Sequence, residues 1–183
     1  MQCKIKNKFF MTHNLFTSQI ESNAKVRLAK FDVQFLSTAM YDQTSRVICH
    51  GIKDNNPDAI VTAAFKMADC LPQSQDVVLV PAPSHKGYAT NTLKLANMIA
   101  KISGAEVADI LRGKERESNY SAKKAGHGLK PSDLGFYLNG TLPEGKLIVL
   151  CDNCCDTGVT AFAAANVLGS CVVLTYAMTS VLF

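Results

Sequence analysis

The segment Lys146–Thr160, K-L-I-V-L-C-D-N-C-C-D-T-G-V-T, limits the fold more than any other part of the chain. Leu147 to Cys151 carry no charge and suit a strand buried on both faces of a parallel sheet. Val159 to Leu168 (V-T-A-F-A-A-A-N-V-L) reads as an Ala-rich helix stopped by Gly169. The loop between them therefore falls at a helix N-terminus, where unpaired backbone N–H groups and the positive end of the helix dipole favour an anion. Thr157 and Thr160 add hydroxyls, and Gly158, lacking a Cβ, would leave room for a phosphate against the N–H groups of Thr157, Gly158 and Val159. Asp152, at the strand's carboxyl end, would face the same crevice. The same order of residues also serves as a plain strand-to-helix connection in doubly wound α/β proteins.

A second strand and loop strengthen the phosphate reading. Asp76 to Gly87 (D-V-V-L-V-P-A-P-S-H-K-G) runs from apolar residues into a Pro-x-Pro and a basic turn. Ala89 to Ile102 then has helical spacing, with Leu93, Ala96, Ile99 and Ala100 on one side and Gly104 as the stop. Ser84, His85, Lys86 and Gly87 are the candidate binding residues here. Alone, Lys86 and His85 would be read as a solvated loop; beside a phosphate turn on a neighbouring strand, Lys86 is read as functional.

Together the two loops resemble the signatures of type I phosphoribosyltransferases, and the Val-Pro-x-Pro form followed by a basic turn and a Leu-Ala-rich helix is most like the ComF branch. The likeness covers roughly Tyr41 to Thr179, with specific matches in the two loops. It implies a Rossmann-like α/β core and use of 5-phosphoribosyl-1-pyrophosphate with magnesium. The acceptor would be a base or an amine. Asp152 and Asn153 fall on the family's acidic pair, which holds the ribose hydroxyls, and Asp156, Thr157, Gly158, Val159 and Thr160 fall on its 5′-phosphate turn. Lys86 falls on the loop that meets the leaving diphosphate. By this likeness Asp152 and Lys86 are the catalytic candidates, with Asp152 contacting magnesium indirectly through substrate and water. Two positions depart from the pattern: Asn153 replaces the second acid, and Asp156 puts a carboxylate where the family has Thr or a small residue. Family members that act as regulators keep the site to sense a metabolite, so a non-catalytic sensor of phosphoribosyl pyrophosphate or a nucleotide is the alternative.

Between the loops lies Arg112–Gly128, a charged stretch with Gly near both ends and no apolar period, expected to be mobile and without structure of its own. Its place in the chain matches the family's catalytic lid, with Arg112, Lys114 and Arg116 as candidate cations and Lys123 and Lys124 beyond them. A solvated hairpin is the bland reading.

At 183 residues, 48% hydrophobic and 19% charged, the chain is sized for one compact domain. A net charge of +4 suits a small anionic substrate; it permits nucleic acid, but no dense basic tract supports that partner. Cys151, Cys154 and Cys155 lack the spacing of a zinc site and read as small buried hydrophobes. No segment is apolar enough to span a membrane, and with reduced thiols expected, the chain is read as cytoplasmic, with a homodimer compatible. Strands are expected near Arg46–His50, Asp76–Pro81, Glu106–Leu111, Gly135–Leu138, Lys146–Cys151 and Cys171–Ala177, and helices over Pro57–Cys70, Ala89–Ile102 and Val159–Leu168. Strands alternating with helices predict a mainly parallel sheet covered on both faces, over residues 46–183. Residues 1–45 would form a small N-terminal hood over the acceptor, which Phe31, Phe35 and Tyr41 could line, although core packing is the commoner use of such residues.

Overall fold

The computed structural model describes residues 22–30, 33–72 and 76–182. Its helices follow local rules. In α2 (Pro57–Asp69) the Asn56 side chain accepts from Ala59 N at 3.0 Å with Pro57 in the first turn, and Ile60, Ala63, Ala64 and Met67 form the buried face. Helix α3 (Asn91–Ser103) buries Leu95, Ala96 and Ile99 and ends at Gly104 with φ 77°. Helix α5 (Val159–Leu168) is bounded by Gly158 and Gly169, as expected.

The expected strand Arg46–His50 is instead the middle of a helix, α1 (Gln43–Lys53). Asp42 and Ser45 form a reciprocal capping box, with Ser45 N to Asp42 Oδ1 at 2.7 Å and Asp42 N to Ser45 Oγ at 2.8 Å. Buried Ser45, Cys49 and Ile52 then recur at helical spacing, and Val47 faces solvent.

The main sheet contains β1 (Val26–Lys30), β2 (Val33–Met40), β3 (Val77–Pro81), β4 (Glu106–Val107), β7 (Leu147–Cys155) and β8 (Val172–Met178), in the order β1-β2-β8-β7-β3-β4. Only the β1–β2 pair is antiparallel. Alternate residues of β3 enter opposite layers: Leu79 joins Ile52, Met67, Leu95 and Ile99 beneath α1, α2 and α3, whereas Val78 and Val80 join Ala161, Ala164 and Leu168 beneath α5. The chain is thus α/β, with a mainly parallel mixed sheet flanked by helices. Among the described residues no helix is long and apolar enough to cross a membrane.

Other boundaries differ from expectation. Strand β7 continues to Cys155 because β8 pairs with it as far as Met178, placing Asp152 and Asn153 inside a strand. The strand expected over Glu106–Leu111 is split: Glu106–Val107 pairs with β3, and β5 (Leu111–Arg112) pairs with β6 (Tyr137–Leu138), the ordered part of the expected Gly135–Leu138. Of the segment expected as a hood, residues 1–21 and 31–32, including Phe31, lie outside the described residues, while β1 and β2 are strands of the sheet. Phe35 is core, meeting Phe162 edge-on at 5.8 Å.

Candidate functional site

From the adjacent strands β3 and β7 the chain leaves in opposite directions, through α3 to β4 on one side and through α5 to β8 on the other. A crevice opens at the carboxyl ends of such a pair, and in doubly wound sheets ligands bind there. Both sequence motifs end at this point: Ala82 N donates to Cys151 O at 2.9 Å, which sets the Ser84–Tyr88 loop beside Asp152.

Asp152 is half-buried in the crevice, and its Oδ1 accepts from Asn153 N at 2.8 Å. Burial lifts its carboxyl to about 6, even though that N–H and the cations Lys53 and Arg116 pull the other way. Lys53 lies in the last turn of α1 and was missed because that helix was read as a strand. Arg116 is half-buried, and its Nε is buried without a hydrogen-bond partner among the described residues.

Asn153 does not share the crevice. Strand alternation turns it to the opposite face, where it is buried, its Nδ2 donating to Cys49 O at 3.1 Å and its own carbonyl accepting from Cys49 Sγ at 3.4 Å. The residue expected to hold ribose instead pins α1 to the sheet.

The phosphate turn begins at Asp156. Gly158 starts α5 with no side-chain cap, so the first-turn N–H groups are not covered by a capping oxygen. A further reason for glycine is that φ is +80° and a Cβ would lie 2.7 Å from Phe162 and 2.9 Å from Leu182, so the added atom would strike apolar packing. Its N–H is turned toward the Cys155 thiol. A larger residue at Gly158 would therefore report on the fold before it reported on a ligand. Thr157 is exposed, and Val159 and Thr160 are half-buried.

In the β3 loop, Ser84 N donates to Tyr88 O, Gly87 N to Ser84 O and Lys86 N to Ser84 Oγ, so these amides already serve the turn. His85 and Lys86 are exposed at its tip. Gly87, at φ +87°, lets Gly113 approach: a Cβ would meet Gly113 O at 2.4 Å, and Gly113 N donates to Gly87 O at 2.8 Å.

The charged segment 112–128, expected to lack structure of its own, carries a short helix and reaches both sides of the crevice. Arg116 N donates to His85 O at 2.9 Å on the β3 side. Helix α4 (Asn119–Lys124), capped by Ser118, reaches the phosphate turn: Lys123 Nζ meets Asp156 Oδ2 at 2.8 Å and Asn119 Nδ2 donates to Thr160 Oγ1 at 3.3 Å. His127 Nε2 and Glu117 Oε1, 2.6 Å apart, close the base of this excursion. Arg112, expected as a lid cation, is held bidentately by Asp109 at 2.7 and 3.1 Å, and Lys114 is exposed with its stem over Gly135. Two surface hollows lie elsewhere, one of about 600 Å³ near Asp76 and Glu106 and one of about 690 Å³ between α1 and α2. The switch point remains the better candidate, because neither hollow receives Asp152 or the phosphate turn.

The thiols of Cys151 and Cys155 are buried and pushed up by that burial, Cys155 to about 12, as inert core sulfurs are. Tyr41 follows β2 and is exposed; burial, then the nearby Cys154 and Cys49, raise its phenol above the ordinary value.

A comparison with protein-family models returns no match, and neither does one with curated proteins.

A carbon-13 NMR titration of the Asp152 carboxyl is expected to give a midpoint of about 6 in place of 3.8. Because the folded value lies above the unfolded one, the native chain holds an extra proton between them. The stability this group allows is therefore full below the unfolded value and falls as pH rises to about 6. Asp152→Asn should raise Tm at pH about 7.5 more than at pH about 4; a midpoint at or below 3.8 would contradict this environment.

Proposed function

We propose that the chain is a phosphoribosyltransferase that uses 5-phosphoribosyl-1-pyrophosphate, with a base or amine as acceptor and pyrophosphate as the second product. The observation that carries this reading is the convergence at one switch point of Asp152, the cations Lys53 and Arg116, and the uncapped start of α5. Type I phosphoribosyltransferase identity and the ComF likeness rest on the two loop motifs.

In this reading the Asp156–Thr160 turn takes the 5′-phosphate through first-turn N–H groups and the Thr157 and Thr160 hydroxyls. Asp152 accepts hydrogen bonds from the ribose hydroxyls, and its charge favours the cationic ring that develops as the bond to diphosphate breaks. The acceptor nitrogen supplies the electron pair for the new bond to that carbon and sheds its surplus proton, and pyrophosphate departs with the pair of the broken bond and takes up that proton. In this reading Lys86 and Arg116 are the cations that meet the pyrophosphate. Among the described residues no three His, Cys, Asp or Glu side chains form a metal cluster. By the resemblance, magnesium would be held by Asp152 indirectly, through substrate and water, and would neutralise leaving-group charge.

A second reading, a sensor of phosphoribosyl pyrophosphate or a nucleotide, is favoured by two observations. Asn153 is committed to Cys49, and the phosphate turn is held by the chain's own Lys123 and Asn119. A turnover screen with magnesium, phosphoribosyl pyrophosphate and purine, pyrimidine and amine acceptors separates the readings. Pyrophosphate release with one acceptor class is expected; binding without release would select the sensor, and no binding would overturn both.

A further inference from the structure

Asp156 is where this chain departs from the phosphate turn it resembles, and its carboxylate is engaged on both sides. Thr179 Oγ1 donates to Asp156 O at 2.8 Å and to Oδ1 at 3.2 Å, which fixes the side chain. The remaining oxygen, Oδ2, holds Lys123 Nζ at 2.8 Å. Lys123 lies on α4, whose Asn119 reaches the Thr160 hydroxyl, so both anchors of this short helix fall on the turn that would receive a phosphate.

Six residues cannot hold a helix by propensity alone, since nucleation costs more than so few internal hydrogen bonds return. Ala122 is the one residue of α4 that is buried. Its contacts with the turn therefore help to hold α4 over the crevice, beside the burial of Ala122 and the Arg116–His85 contact.

We propose that Asp156 is a built-in rival for a phosphate group: in the ligand-free chain it latches the charged segment over the turn through Lys123, and a phosphate-bearing ligand enters by taking Lys123 from it. The proposal rests on the phosphate reading of the turn and assigns that site its regulation. The carboxylate and a phosphate dianion compete for one ammonium and repel each other across the same few ångströms, so occupation by one disfavours the other. Both side chains are partly exposed, at 59% for Lys123 and 44% for Asp156, so the latch is weak and readily exchanged.

The test compares the whole chain with Asp156→Asn, Lys123→Gln and the double variant. Asn keeps the acceptor for Thr179 and removes only the charge. Hydrogen exchange is read at the amides of Ala122, Ala125 and His127, which donate to Ser118 O, Ser121 O and Ala122 O. Each single variant should accelerate exchange by roughly two- to fivefold, the range open to an exposed ion pair, and the double variant should add nothing. Titration with ribose 5-phosphate should show Asp156→Asn binding roughly two- to fivefold tighter than the parent chain. Exchange unchanged in Asp156→Asn, or additive effects in the double variant, would overturn the latch whatever the affinities. Faster exchange with unchanged or weaker ribose 5-phosphate binding would overturn the rivalry. Ribose 5-phosphate bound by none of the proteins would sink the phosphate reading of the site, while the exchange data would still decide the latch.

Discussion

Asn153→Asp, which restores the second acid of the motif this chain resembles, is expected to destabilise the fold by about 3 kcal/mol at pH about 7.5. Asn153 is 7% exposed and donates from Nδ2 to Cys49 O. An ionised Asp has no donor, so two acceptors would face each other in a buried site. For a chain of this size the change corresponds to a Tm lower by roughly 6–12 °C. The loss should shrink at pH about 4, because a protonated carboxyl can donate to Cys49 O and so its folded-state titration is shifted upward. Thermal unfolding followed by circular dichroism at the two pH values decides it. A Tm within a degree or so of the parent chain would show that Asn153 does not pin α1.

Asp152→Asn is expected to do the opposite: to spare or raise stability and to remove activity. The carboxylate sits in a site where burial lifts it to about 6, so neutralising it relieves a desolvation penalty at neutral pH. In the proposed reaction its charge favours the ring that becomes cationic. Losing such a preorganised interaction costs about 10²–10³ in turnover. Steady-state pyrophosphate release by the purified variant, with its Tm measured alongside, checks both halves. Equal turnover by variant and parent would remove Asp152 from the mechanism.

Much of the architecture was legible because local signals and packing agree. The apolar runs of β3 and β8 are buried on both faces, and the stops at Gly104 and Gly169 lie where the helices end. The short apolar run Val47-Ile48-Cys49 suits a strand as well as a helix, and the decisive Asp42–Ser45 box of α1 lies just upstream of it. Lys53 was lost with that helix. The structure of 112–128 left no periodic trace, since α4 buries only Ala122 and is placed by partners far away in sequence: His85, Asp156 and Thr160. Within the site, the motif located Asp152 and the turn. The facing of Asn153 was not legible because it depends on β7 continuing past Cys151, which β8 imposes through the pairing of Cys155 with Met178.

The central claim is that the β3–β7 switch point binds a phosphoribosyl group through Asp152. Calorimetric titration of phosphoribosyl pyrophosphate with magnesium into the parent chain and into Asp152→Asn tests it most directly. The account predicts saturable binding to the parent chain and an affinity roughly tenfold or more weaker in the variant, as expected when charged hydrogen bonds to hydroxyls are lost. No binding to the parent chain, or equal affinity for both proteins, would contradict it.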